Sequence, residues 1–311
     1  MPRVQILLST YNGEKYLRPQ LDSFLALENA GDISVLIRDD GSTDGTREIL
    51  EEYRDRHGFS LVFGDNIGFV DSMTALFSMA DMSCDYFAFS DQDDVWLPDK
   101  LSRAVEALDR GDNTAPLLYA ALSYLVDAEL HAIGQTMTPK KPPLFYNAMV
   151  QNVCLGHTQV ANHALMALLR REKCENILMP DFFVYMLASA TGRVIFDATP
   201  TTLYRQHGGN VIGYRNGFFR NLGTRLKRMK TDAPKKGVRQ LLSLVTHYRD
   251  VMKSEYLDEA RRFFFCGKNF FTRLGYVFSA KAYRQSLAEN LIFRGMYLIG
   301  KYKIKSLPKD L

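Results

Sequence analysis

Tyr86-Phe87-Ala88-Phe89-Ser90-Asp91-Gln92-Asp93-Asp94 is a short apolar run that ends in three carboxylates. The run predicts a buried strand, and such a strand must release its acids at its C-terminal end, where water, a metal or a ligand meets the charge. Crowded anions repel, and an unpaired one costs kilocalories. A hard divalent cation carrying a phosphate group answers that charge, because such ions take oxygen ligands and keep positions open for a substrate.

Outward from this stretch, the first hundred residues alternate between strand and helix patterns. Strands are expected at Val4 to Leu8, Ile33 to Arg38, Ser60 to Phe63 and Tyr86 to Ser90, with a further one at Leu117 to Leu125. Helices are expected at Glu14 to Leu27, Asp44 to about Arg56 and Phe69 to Ala80, with Thr43 or Asp44 as N-cap of the second. Pro98 opens another at Asp99 to Leu108, since proline is tolerated in a first turn. This alternation implies right-handed crossovers and a mostly parallel sheet that binds ligands at the carboxyl ends of its strands. Polar clusters follow four strands at that end: Ser9 to Gly13, Asp39 to Ser42, Asp65 to Gly68 and Asp91 to Asp94. Each alone is ordinary turn chemistry. Four on one sheet edge predict a site.

Composition sets limits. With 311 residues, 46% of them apolar, the chain has room for one large domain plus an appendage and too much core for disorder. Cys84, Cys154, Cys174 and Cys266 form no Cys-x-x-Cys pair, which argues against zinc sites and a disulfide framework and fits a reducing cytosol. Neither a signal peptide nor an uncharged apolar span is expected. The net charge of +4 conceals an asymmetry: residues 212–311 hold 22 Lys and Arg against 7 acids, and the first 211 hold 17 against 28. We place a boundary there, with residues 1–212 as the α/β domain and 213–311 as a basic, aromatic, helical region.

Three segments now resemble a known family. Leu7-Leu8-Ser9-Thr10-Tyr11-Asn12-Gly13, Arg38-Asp39-Asp40-Gly41-Ser42-Thr43-Asp44-Gly45-Thr46 and Ser90-Asp91-Gln92-Asp93-Asp94-Val95-Trp96 are similar to the large inverting glycosyltransferase family with the Rossmann-like GT-A fold, often called family 2. With Gln206-His207-Gly208-Gly209-Asn210, the pattern looks most like the bacterial rhamnosyltransferases of cell-wall polysaccharide and O-antigen synthesis. The resemblance, over about residues 3–213, implies the following roles. Thr10 and Tyr11 line the base pocket, Asp40 accepts from N3–H of uracil or thymine, Asn66 lies beside base and ribose, and Asp91 binds the ribose, with Gln92 beside it. Asp93 ligates Mg or Mn on the diphosphate, and His207 completes that metal site. Asp181 is the general base; the family's Asp-Trp-Trp is here Asp181-Phe182-Phe183, which removes an indole donor and puts acceptor contacts in doubt. The implied donor is dTDP-β-L-rhamnose, with UDP-hexoses or UDP-N-acetylhexosamines as alternatives, and the acceptor is a polyprenyl-linked glycan.

Several residues have plainer readings. Asp181 follows a proline and suits a helix N-cap; His157 is a structural histidine or an acceptor contact; Trp96 and Phe89 read as core. A nucleotidyltransferase would want a Gly-rich phosphate loop, and Ser9 to Gly13 holds one glycine. A non-catalytic scaffold of a membrane assembly is the alternative of another class. In the tail, Phe218, Phe219, Leu222, Leu226 and Met229 share a helical face, and aromatic-basic segments recur at 261–265, 270–273 and 291–305. They suit either peripheral attachment to an anionic membrane on its cytoplasmic side or a packing and homo-oligomer surface. No nucleic-acid motif accompanies the charge.

Overall fold

The computed structural model describes residues 1–29, 31–171, 175–207, 233–304 and 307–308. In chain order these form β1 (Arg3–Thr10), α1 (Leu17–Leu25), β2 (Asp32–Asp39), α2 (Thr46–His57), β3 (Ser60–Phe63), α3 (Phe69–Met79), β4 (Tyr86–Ser90), β5 (Val95–Trp96) and α4 (Lys100–Asp109). There follow β6 (Leu117–Val126), β7 (Ala132–Gln135), α5 (Phe145–Ala148), a 3-10 turn (Gly156–Thr158), β8 (Val160–Asn162), α6 (His163–Arg171), α7 (Pro180–Thr191) and β9 (Arg193–Arg205). The last helices are α8 (Ala233–Tyr248), α9 (Ser254–Cys266), α10 (Phe270–Ser279) and α11 (Leu287–Leu298).

One compact unit comprises residues Met1–Thr138 with the described residues of 154–173 and 193–214. It holds every strand, in the order β3-β2-β1-β4-β8-β6-β9-β5, with β7 on β6. The long ladders β1–β2, β1–β4, β2–β3 and β6–β9 are parallel, and the short ones are antiparallel. Strand alternation splits the apolar residues between two faces. Val4, Ile6 and Leu8 of β1 pack with Leu17, Leu21 and Phe24 of α1 and with Leu101, Ala104, Val105 and Leu108 of α4. Those helix spacings put each set on one stripe. On the opposite face Phe89 meets Phe77 of α3 at 5.2 Å between ring centroids. Each such buried Leu or Phe contributes roughly 1.5–3 kcal/mol. Gly45, rather than Thr43 or Asp44, occupies the cap position of α2, although Asp44 Oδ1 still accepts from the Thr46 N–H.

The second unit takes Pro139–Val153 and the described residues of 174–192 and 215–311. It is helical and therefore includes two segments that the composition assigned to the α/β domain. Residues 131–150 contribute β7 to one unit and the one-turn α5 to the other. Phe263, Tyr276, Phe293 and Tyr297 form its aromatic core. Buried Glu259 accepts from Tyr276 Oη, Arg262 Nη1 and the Lys281 N–H. The expected boundary near 212, residues 218–230 and residues 208–210 lie outside the described residues.

Candidate active site

All four polar loops meet at the carboxyl edge of the parallel strands, tied together by hydrogen bonds. Gln92 after β4 accepts from Thr10 Oγ1 (2.6 Å) and the Tyr11 N–H (2.9 Å), and donates to Tyr11 O. Asn12 donates its N–H to Ser42 Oγ and accepts from the Thr43 N–H. Thr10 is buried and Tyr11 exposed. Gln92 therefore latches the first loop to the fourth with its amide, and Tyr11 faces outward.

Asp40 is buried and takes three donors: Arg38 Nη1, the Ile67 N–H (3.0 Å) and the Gly68 N–H (2.9 Å). A carboxylate offers about four acceptor positions, so one remains for a ligand donor. Arg38 also reaches Ser72 Oγ and Asp65 O, which fastens the third loop to the second. Asp39 pairs with Arg47 at 2.8 Å. Gly41 is required where it stands: its φ is +81°, and a Cβ there would lie 2.8 Å from the Asn66 backbone N. Asn66 itself is exposed beside it.

The acidic tip is shaped by β5 and β9. Val95 pairs with Leu203 and Trp96 with Thr202, antiparallel, so the residues just before Val95 run alongside those just after Leu203. Arg205 donates its N–H to Asp94 Oδ1 and its Nε–H to Asp93 O. His207 Nε2 thereby comes within 2.8 Å of Asp93 Oδ2, each side chain 17% exposed. The Tyr16 ring lies against His207 (4.7 Å) and under the Arg205 guanidinium (4.6 Å). Burial, reinforced by the Asp91 charge, holds the Asp93 carboxyl above its ordinary range, with His207 pulling it down. A group in that state gains from an added cation. Two neighbouring ligand atoms of an octahedral ion with bonds of ~2.1 Å lie ~3 Å apart. Asp93 Oδ2 and His207 Nε2 are joined by a hydrogen bond of 2.8 Å, which an ion taking both atoms as ligands would replace.

A second cluster adjoins this pair, with Asp94 and His157 buried and Asp91 open to solvent. His157 Nδ1 is 3.5 Å from both Asp91 Oδ2 and Asp94 Oδ2, and its Nε2 is 2.8 Å from Ser123 Oγ. These ligand atoms are close enough to hold an ion. Asp94 and His157 are buried, however, and a cation already stands nearby. Lys100 Nζ, fully enclosed, donates to His157 O (2.7 Å) and Thr202 Oγ1 and lies over the Trp96 ring. Burial drives the Lys100 ammonium down to about 7 while Asp94 and Asp91 pull it back up. Burial, with Asp93 and Asp91 beside it, pushes the Asp94 carboxyl well up. Asp94 and His157 back the site, whereas Asp91, Asp93 and His207 keep access to solvent. Lys100→Met should cost about 1–3 kcal/mol in urea unfolding, because it leaves the buried His157 carbonyl and Thr202 hydroxyl without their donor.

Asp181 lies in the helical unit. The cap residue of α7 is Met179 and Pro180 opens the helix, so Asp181 is a first-turn acid rather than the N-cap. Its Oδ2 accepts from Asn152 Nδ2 (2.8 Å) and its Oδ1 from the Phe182 N–H (2.7 Å). Both bonds fix the orientation of the carboxylate in the first turn of α7. Lys100, Tyr16 and Arg205 escaped the sequence reading, since nothing in their local patterns marks them. Trp96 and Phe89 are core, as their sequence context indicated.

The Glycosyl transferase family 2 profile matches residues 5–178. The dTDP-rhamnosyl transferase RfbG of Shigella flexneri is 27% identical over 225 residues, spanning 68% of this chain and 75% of that protein. S. aureus TarS 1-349, solved in complex with UDP, superposes with a TM-score of 0.58 at 16% identity, over 97% of this chain and 89% of that one. In a longer TarS structure the matched region is 47% of the chain. Mannosyltransferase PcManGT from Pyrobaculum calidifontis, in complex with GDP-Man and Mn2+, gives a TM-score of 0.50 at 16% identity, over 96% and 86%.

Proposed function

This chain belongs to glycosyl transferase family 2, and we propose that it moves L-rhamnose from dTDP-β-L-rhamnose onto a lipid-linked polysaccharide acceptor, inverting the anomeric carbon. The observation that carries a metal-dependent transfer is the Asp93–His207 pair at the tip of β4, held side by side by a hydrogen bond and partly open to solvent. Similarity to the Shigella rhamnosyl transferase supports the sugar. The acceptor places the enzyme at the inner face of the plasma membrane.

The reaction forms a bond from the acceptor oxygen to C1 and breaks the bond from C1 to the diphosphate oxygen. The acceptor's proton passes to the Asp181 carboxylate, which the Asn152 and Phe182 donors hold in place. Asp93 and His207 would hold Mg or Mn, which supplies charge neutralisation for the departing diphosphate. Asp40 offers its remaining acceptor position to N3–H of thymine or uracil, and Thr10 and Tyr11 form the wall beside it. Cytosine lacks that N–H and is rejected. Asn66 and Asp91 serve the ribose, and Gln92 fixes the loop that carries Asp91.

His157 positions Asp91. It meets the two carboxylates through Nδ1, and an Asn amide nitrogen falls near Nδ1 whereas a Gln amide nitrogen falls near Nε2. His157→Gln should therefore raise the donor KM about tenfold, and His157→Asn should stay within about threefold of wild type. Equal effects of the two exchanges on KM would remove this role.

A donor panel tests the main reading. The full chain with Mn2+ and dTDP-rhamnose, UDP-glucose, UDP-galactose or UDP-N-acetylglucosamine is scored for nucleoside diphosphate release. Release from dTDP-rhamnose, abolished by EDTA and restored by Mn2+, is expected. Turnover of a UDP-sugar in its place selects the alternative donor, for which Asp40 is equally suited. Turnover indifferent to EDTA overturns the metal assignment.

A further inference from the structure

The helical unit exposes large apolar side chains on two helices that the chemistry above does not use. Setting aside the terminal Met1, the three most exposed large apolar side chains among the described residues are Phe271 (81%), Phe278 (79%) and Leu287 (77%). Phe271 and Phe278 are seven apart in α10 and so share one helix face, and Leu287 and exposed Leu291 are four apart in α11. The aromatic-basic composition of this region does not itself mark the surface. Phe263 and Phe264, which follow Arg261 and Arg262, are core, as are Phe293 and Tyr297.

Charge identifies what covers this face. Residues 261–304 contain nine Lys and Arg and one acid, Glu289. Only Arg262 among the nine forms an ion pair among the described residues, with Glu259. Lys268, Lys281 and Lys303 are exposed. A second copy of this chain would bring like charge to like charge. A nucleic acid would leave the aliphatic Leu287 and Leu291 without a stacking partner. A layer of hydrocarbon beneath anionic headgroups satisfies both groups at once.

We infer that α10 and α11 seat this unit on an anionic lipid bilayer, with Phe271, Phe278, Leu287 and Leu291 entering the acyl boundary and Lys268 and Lys281 meeting headgroup phosphates. The contact is peripheral, because no described helix is long and apolar enough to cross a membrane. It stands on this unit alone and is independent of the donor or the reaction.

The test is co-flotation of the full chain with vesicles of neutral phosphatidylcholine, or of phosphatidylcholine with about one-third phosphatidylglycerol. The partition coefficient should be at least about tenfold higher on the anionic vesicles and fall steeply between about 0.05 and 0.5 M NaCl. Phe271→Ser/Phe278→Ser should lower it at least about tenfold with Tm unchanged, because both rings are already in water. Lys268→Glu/Lys281→Glu should do so on anionic vesicles only. Equal binding to both vesicle types, or undiminished binding by both double variants, overturns the inference. So does absence of vesicle binding with a Phe271-dependent dimer in light scattering, which makes the face a self-association surface.

Discussion

Asp93→Asn and His207→Ala should each lower transfer kcat by about 10²–10³, and the double variant should be no worse than the poorer single. Removing one preorganised source of charge stabilisation from a transfer site costs that much, and two groups that serve one ion act as a unit, so their losses do not add. His207 Nε2 and Asp93 Oδ2 lie 2.8 Å apart in a hydrogen bond, so an ion held by one is within reach of the other. A second readout separates this from structural damage: Mn2+ affinity by calorimetry, which should fall about 10–100-fold in each single variant. His157→Asn provides the control. If the ion instead sits in the Asp91–Asp94–His157 cluster, His157 exchange will abolish Mn2+ binding and His207 exchange will not. Additive losses in kcat, or full activity in either single variant, would refute the pairing.

How the sequence displays this site depends on how local each signal is. From Val4 to Leu108 the signals are local: alternation in strands, i/i+3/i+4/i+7 spacing in helices, and turn residues after each strand. The elements of that segment are accordingly legible, β3 and β4 to the residue and the first helix within three, with the two-residue β5 missed. The convergence of four loops was also legible, since parallel strands must expose their carboxyl ends together. The pairing of Val95–Trp96 with Leu203–Thr202 was not, because it joins residues more than a hundred positions apart. Neither was Lys100, which reads as an ordinary first-turn residue of a surface helix until β9 encloses it. The C-terminal region teaches the same lesson: Phe264 and Phe271 have similar neighbours in sequence, yet one is core and the other bare.

Asp181→Asn should abolish all but about 10⁻²–10⁻⁴ of the transfer rate while leaving donor binding and Mn2+ affinity intact. The exchange is nearly isosteric and keeps an acceptor oxygen for the Phe182 N–H at the start of α7. What it removes is the negative charge and the capacity to hold the acceptor's proton. The Asn152 contact sharpens the test. Asn152 Nδ2 donates to Asp181 Oδ2, and in the variant an amide NH2 group would face it unless the side chain flips to present its oxygen. Either orientation leaves a group that cannot serve as a base, so the rate loss does not depend on which is adopted. Asn152→Ala removes one bond to the carboxylate and leaves the base in place, and should cost only about 3–30-fold. Donor hydrolysis by water, followed in the absence of acceptor, gives the separating measurement. If Asp181→Asn loses transfer and hydrolysis together with donor affinity, Asp181 is part of the donor site. If transfer persists, the proton goes elsewhere and the base assignment is wrong.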